Sequence, residues 1–315
     1  MDRATAFVPG HVTGLFSIHD EEADPLRRGS LGAGFSIAGG VTTEARLIGA
    51  ASHSTLAPEV DVTINGVRRD NAVVSLLVAR AVAGRAVALR PGAGRVRIEV
   101  DEQVAVPEGS GFGTSGAGAL SVAYAVNCAY GAPLSLEECG QVAHWAEIDC
   151  GTGLGSVIAE AEGGMEIRVA PGAPGFGRVE RFDAPQLPDA IFVVFGPLST
   201  RKMLADPQTR RRINGTGREC LDELRSRPSV DSFLRLSRKF AERTGLISER
   251  VRHVLELFDS AGIPSSMLMF GEGVFTLVDP VATPRVLEMV DKSGQNEHLV
   301  VSKVDARGGR IINVT

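Results

Sequence analysis

The 315-residue chain is 43% hydrophobic and carries a formal net charge of -5, enough apolar content for one large core or two moderate ones, and its length favours about two domains. The acidic balance argues against a general nucleic-acid or anionic-membrane surface. Cys128, Cys139, Cys150 and Cys220 lack CxxC spacing and read as buried reduced thiols, while the absence of a leader-like apolar stretch or a run of 18 apolar residues points to a cytoplasmic protein.

In chain order, strand patterns at 4–8, 42–48, 60–64 and 95–100 mix with helices near 72–83 and 115–130, and Asn65-Gly66 marks a hairpin. That is an α+β pattern. A helix over 136–149 opens with Ser135 and Glu138 at capping-box spacing, and a strand at 164–169 follows. Proline and glycine are densest at 171–190, which places a domain boundary near 187 and divides the chain into 1–187 and 188–315. The second part reads as a strand at 191–195, amphipathic helices between 200 and 262, strands near 266–270 and 274–279, a helix at 283–292, and strands near 298–304 and 310–314. This alternation suggests a small α/β sandwich. Arg210, Arg211 and Arg212 form a run too short for a nucleic-acid arm and read first as a solvated helix face, second as a substrate-anion contact.

The stretch 106–121 (VPEGSGFGTSGAGALS) carries the chemistry, because a loop rich in glycine and hydroxyls runs straight into a helix. Gly109, Gly111 and Gly113 let backbone amides approach an anion, and Thr114, Ser115 and Gly116 stand where a helix N-terminus concentrates positive charge. Residues 111–116 also fit GxGxxG, but Pro107 and Glu108 precede them and Glu137 falls in a helix, which disfavours a dinucleotide turn. A glycine turn serving only close helix packing is the other alternative. No P-loop and no protein-kinase motif set occurs.

Three segments resemble the GHMP family of small-molecule kinases: 7–20 (FVPGHVTGLFSIHD), similar to its substrate motif; 106–121, similar to its ATP loop; and 265–277 (SSMLMFGEGVFTL), a degenerate form of its C-terminal motif. Within the family, 8–14, 28–34, 143–147, 152–155 and 196–200 resemble the archaeal pantoate kinase group, which phosphorylates the 4-hydroxyl of pantoate on the way to coenzyme A. The resemblance implies a two-domain GHMP kinase fold, with an N-terminal ribosomal protein S5 domain 2-like part and a C-terminal ferredoxin-like α/β sandwich. It also implies ATP, Mg²⁺, pantoate and a homodimer, with no nucleic-acid or membrane partner.

By the same likeness, Pro107, Gly109, Ser110, Gly111, Phe112, Gly113, Thr114, Ser115 and Gly116 bind ATP, and Ser115 with Glu147 holds Mg²⁺. His11, Ser30, His144, Arg168 and Thr200 take the substrate positions. A guanidinium and hydroxyls suit a small carboxylate, and His144 and Glu147, spaced i, i+3, share a helix face. Each also has an ordinary reading: Ser115 a cap, Glu147 a solvated helix residue, His144 a satisfied histidine, Arg168 a strand-surface charge, Ser30 a turn residue, Thr200 an N-cap. The departure is at 156, where the group reads TGLGD and this chain reads TGLGS. Ser156 keeps the seven-residue spacing to the Gly163-Gly164 pair, and neither Asp149 nor Glu160 occupies the equivalent place. A kinase working without a base, an engineered inactivating change, a related kinase with another hydroxy-acid or alcohol acceptor such as homoserine or mevalonate, and a nucleotide-binding protein without turnover all stand open.

Overall fold

The computed structural model describes residues 2–50, 58–89, 96–182, 184, 187–198, 206–295 and 298–315. Two long strands, β1 (Arg3–His19) and β2 (Gly29–Ala50), pair antiparallel from Arg3 opposite Arg46 to His19 opposite Gly29 and form the spine of the molecule. The sequence pattern marks only 4–8 and 42–48 because glycine punctuates the rest. The structure shows a different use for some of these glycines: a Cβ on Gly14 would lie within 2.6 Å of the Phe233 ring, so Gly14 is where a helix packs directly onto the strand.

Around the spine stand β3 (Val60–Ile64), β4 (Val67–Arg68), β5 (Val96–Val104), β6 (Met165–Ala170) and β7 (Arg178–Arg181), with helices α1 (Val73–Leu89), α2 (Thr114–Ala129), α3 (Leu136–Cys150) and α4 (Val157–Glu162). Then follow β8 (Asp189–Pro197), α5 (Pro207–Ser226), α6 (Val230–Thr244), α7 (Glu249–Ser260), β9 (Ser266–Met267), β10 (Gly271–Val278), α8 (Thr283–Lys292), β11 (Leu299–Lys303) and β12 (Arg310–Val314). The first sheet runs β12-β1-β2-β5-β3-β4 with β6 beside β2 and β7 beside β6, and the second runs β11-β8-β10-β9.

The strand at 310–314, expected in the C-terminal sandwich, instead returns to the first sheet and pairs with β1, Ala4 opposite Val314. Its residues alternate without announcing a partner, and only the open edge of β1 selects one. The strand expected at 266–270 is also shorter, because Leu268 N–H bonds back to the Gly273 carbonyl and Phe270 takes φ 64, closing a tight turn before β10.

Two cores divide the spine. Ala4, Ala6 and Val8 of β1, with Val41 and Ala45 of β2, pack against α1, α2 and α3. Farther along, Val12, Leu15, Phe16, Phe35 and Ile37 join the second sheet and α5 to α7 in a core centred on Phe192, Phe233, Phe240 and Phe275. Burial therefore alternates at the start of β1 and becomes nearly continuous beyond Val8, as expected of a strand covered on both faces. Register shifts at Pro9/Gly10 and Thr13/Leu15 mark the passage between the two cores, and such bulges bend a strand and sharpen its twist.

The capping box at 135–138 is formed: Ser135 Oγ accepts from Glu138 N–H at 3.1 Å, and Glu138 Oε2 accepts from Ser135 N–H at 2.8 Å. Such a cap contributes about 1 kcal/mol. It fixes the start of α3, and so the point at which Glu147 emerges about three helical turns later. Cys128, Cys139 and Cys220 are buried and Cys150 is half-buried. Among the described residues, no helix is long and apolar enough to cross a membrane.

Candidate active site

The glycine loop ends at Gly113, which occupies the N-cap of α2 in the left-handed region at φ 65, with Gly109 at φ 69 and Gly111 at φ 90 before it. No side chain caps this N-terminus, so the first amides of α2 and its positive end are left for an anion. Gly113, Thr114, Ser115 and Gly116 line a cleft of about 800 Å³ that also takes in Gly109, Gly111 and Phe112. Gly111 admits no other residue readily: its φ is left-handed, and a Cβ there would stand 2.5 Å from the Met269 carbonyl oxygen. Gly111→Ala is therefore expected to weaken ATP binding at least about tenfold, since the strain of 1–3 kcal/mol at such a position falls on the phosphate loop. Calorimetric titration with ATP checks it, and an unchanged Kd would contradict the role of the loop.

Glu147, near the end of α3, comes to the same place. Its Oε1 accepts hydrogen bonds from Ser115 Oγ at 2.5 Å and Thr152 Oγ1 at 2.6 Å, and the residue is only 2% exposed. Burial pushes its pKa upward, while the two hydroxyls pull it down. A cation here would supply the charge that burial withholds. No group of three or more acidic, histidine or cysteine side chains suited to a metal occurs among the described residues. One carboxylate and two hydroxyls fit a hard ion that keeps several waters and relies on substrate phosphates, which is the habit of Mg²⁺.

The opposite wall is built by β1 and β6. Arg168 is 2% exposed and Glu166 fully buried. Arg168 Nη1 donates to Glu166 Oε1 at 3.2 Å, Nη2 donates to Thr13 Oγ1 at 3.4 Å, and His11 Nε2 lies 2.9 Å from the same Glu166 oxygen. A carboxylate only accepts, so Nε2 of His11 carries the proton. Burial lowers the His11 pKa, with Glu166 opposing it, and the ring is neutral at physiological pH. Arg168, His11 and Thr13 line the cleft, as does Ser30 from the start of β2.

Twelve of the sequence-assigned positions, His11, Ser30, Gly109, Gly111, Phe112, Gly113, Thr114, Ser115, Gly116, Glu147, Ser156 and Arg168, thus share one cleft. Pro107 and Ser110 are outside its lining; Ser110 is buried and its hydroxyl faces the Glu108 carbonyl at 3.4 Å. His144 is a correction to the shared-face argument: it is fully buried, its Nε2 is 3.0 Å from the Arg28 carbonyl oxygen, and it is absent from the cleft lining. The i, i+3 spacing is kept, but the segment before β2 covers His144 and leaves Glu147 to the cleft. Thr200 lies outside the described residues. The residue-level reading passed over Thr13, Phe16, Thr152, Gly153, Leu154, Met269 and Phe270, all of which line the cleft. Thr152 had a signal in the TGLG motif and Met269 and Phe270 a weaker one in the 265–277 segment, which the turn before β10 brings to the cleft.

The family model described as "GHMP kinases N terminal domain" matches residues 75–164. A protein of Thermococcus kodakarensis named "Pantoate kinase" is 35% identical over 87% of this chain and 87% of its own length. A solved structure titled "Phosphotransferase related to CoA biosynthesis pathway" superposes with a TM-score of 0.85 at 29% identity, covering 98% of each chain. Mevalonate diphosphate decarboxylase from Staphylococcus aureus shares the fold at a TM-score of 0.74 and 14% identity, over 99% of this chain and 98% of that one. The chain belongs to the GHMP kinase family, and its fold is the two-part α+β fold of that family.

Proposed function

We propose that the protein transfers the γ-phosphoryl group of ATP to the 4-hydroxyl of pantoate, giving 4-phosphopantoate for coenzyme A biosynthesis. The observation that supports this best is the pairing, across one cleft, of an uncapped glycine-flanked helix N-terminus with a buried guanidinium. The first binds a polyphosphate and the second a small carboxylate. Likeness over nearly the whole chain to a protein named pantoate kinase supports the same substrate.

Phosphoryl transfer depends mainly on alignment and neutralisation of charge spread over the transferring group. The amides of 113–116 hold the phosphates, and Glu147, oriented by Ser115 and Thr152, anchors the nucleotide's metal. Mg²⁺, when bound, neutralises phosphate charge. Arg168, fixed by Glu166, takes the pantoate carboxylate, with Ser30 and His11 beside it. The reading extends to a homodimer in the cytoplasm and to a division near residue 187, supported by the family likeness and the composition of 171–190.

Following ADP release from ATP, Mg²⁺ and pantoate tests it. Saturable release dependent on pantoate is expected, and release only with homoserine or mevalonate moves the acceptor. Ser156 favours one other reading, a nucleotide-binding protein without turnover, which predicts calorimetric ATP binding and no phosphorylated product from any acceptor.

A further inference from the structure

Glu160 is fully buried behind the cleft, and neither of its carboxyl oxygens has a hydrogen-bond partner. An enclosed carboxyl left unpaired is costly. Its position is specific. Ser156 is the N-cap of α4, and Glu160 follows one turn later, its N–H bonded to the Ser156 carbonyl at 2.9 Å, so the two side chains share a helix face. Both press against the first turn of α2: a Cβ on Gly116 would stand 2.6 Å from Glu160 Oε2 and 2.8 Å from Ser156 Oγ, and one on Gly113 would stand 2.7 Å from Glu160 Oε1. Ser156 lines the cleft and Glu160 does not. A hydroxyl on the cleft wall thus has a buried carboxyl behind it.

We propose that Ser156 and Glu160 together form the proton-accepting arm of the site, Ser156 relaying the proton of the acceptor hydroxyl to Glu160. This rests on the kinase reading above. In the step, the acceptor O–H bond breaks and its proton passes to Ser156 Oγ while the serine's own hydroxyl proton passes to a Glu160 oxygen. The freed oxygen pair forms the new bond to the γ-phosphorus, and the bridging P–O bond breaks with its pair left on the β-phosphate of ADP. Glu160 afterwards returns its proton to solvent by the reverse route. Glu160 touches no substrate and is a positioning residue acting through Ser156.

The surroundings favour this direction of transfer. Burial first and the Glu147 carboxylate of α3 second hold Glu160 well above the usual carboxylate range, while Ser156 and Arg168 of β6 pull the other way. His11 of β1 lies across Gly113 and is neutral. An ionised Glu160 beside bound phosphates and Glu147 is a strained anion, and accepting a proton relieves it. The influence of Ser156 on Glu160 is that of a hydrogen bond, yet both carboxyl oxygens stand outside bonding geometry. The relay therefore begins with a rotation of the Ser156 side chain that brings Oγ into bonding geometry with Glu160.

The test is the pH profile of kcat for the unsubstituted protein, Glu160→Gln and Ser156→Ala, with ATP affinity measured by calorimetry on each. The unsubstituted enzyme is expected to gain rate as pH rises through an ionisation above the normal glutamate range. Both variants are expected to lose roughly 100-fold in kcat, the lower part of the range for a general base, to lose that ionisation, and to keep ATP affinity. Ser156→Asp in the Glu160→Gln background, which places a carboxylate directly in the cleft, is expected to regain at least about tenfold by the same rule. Glu160→Gln or Ser156→Ala with an unaltered rate and profile overturns the relay. So does loss of ATP binding in Glu160→Gln, which assigns the carboxyl to support of the glycine loop. An unsubstituted protein that turns over no acceptor overturns the functional reading first, and the relay with it.

Discussion

Glu147→Gln is expected to lower pantoate-dependent ADP release by about 10³-fold, the scale at which removal of one preorganised electrostatic element acts on phosphoryl and acyl transfer. The amide has nearly the same shape and can still accept from Ser115 and Thr152, which now donate to Oε1 at 2.5 and 2.6 Å. What disappears is the charge. Glu147 is the one carboxylate in the cleft lining, and no alternative acidic cluster exists among the described residues, so among them the metal has no second carboxylate to hold it. The loss should appear as a higher Mg²⁺ requirement together with a lower kcat. It should be accompanied by no loss of fold: burial already raises the Glu147 carboxyl, so a neutral group there relieves a desolvation cost. A variant within tenfold of the unsubstituted rate at saturating Mg²⁺ would remove Glu147 from the proposed metal site.

The second large effect is on stability as well as substrate. Arg168→Met should destabilise the fold by about 3–5 kcal/mol, because breaking a buried ion pair from one side leaves its partner's charge enclosed without compensation. Glu166 is fully buried and would keep only His11, whose Nε2 is 2.9 Å from Oε1. That ring is held neutral by burial and cannot replace the lost charge. Urea denaturation measures the cost. The double variant Arg168→Met/Glu166→Leu removes both charges and should recover most of it, while pantoate KM stays raised at least about 100-fold in both, the scale of one charge-assisted bidentate bond. Recovery of pantoate KM in the double variant would show that Arg168 holds Glu166 and not the substrate.

The glycine loop was legible because its chemistry is local, glycines before a helix suiting an anion site, whereas Ser115 and Glu147 were singled out only through the family likeness, with the capping box at Ser135 setting the helix that carries Glu147. The long strands were hidden by the same residue type. Gly10, Gly14, Gly32 and Gly34 punctuate like turns, yet they sit inside β1 and β2, where their missing side chains let other groups approach. At Gly32 the neighbour is the Arg168 guanidinium, and at Gly34 it is the His11 ring 2.5 Å from where a Cβ would stand. The His11 and Arg168 wall of the cleft therefore depends on glycines that the linear pattern reads as punctuation. His144 shows the converse: helical spacing put it beside Glu147, and the segment before β2 covered it.

The sequence by itself determined the family and the glycine loop that opens α2, since each is written in contiguous residues whose backbone or chemistry acts locally. Only the tertiary structure decided what stands behind Ser156. Burial, pairing and field are properties of the packed interior: they enclose Glu160 beneath the first turn of α2, tie Arg168 to Glu166 across neighbouring positions of β6, and return β12 to the edge of β1. A carboxylate's role is set by what surrounds it, and residues 113, 116 and 147 reach Glu160 only once the chain has folded.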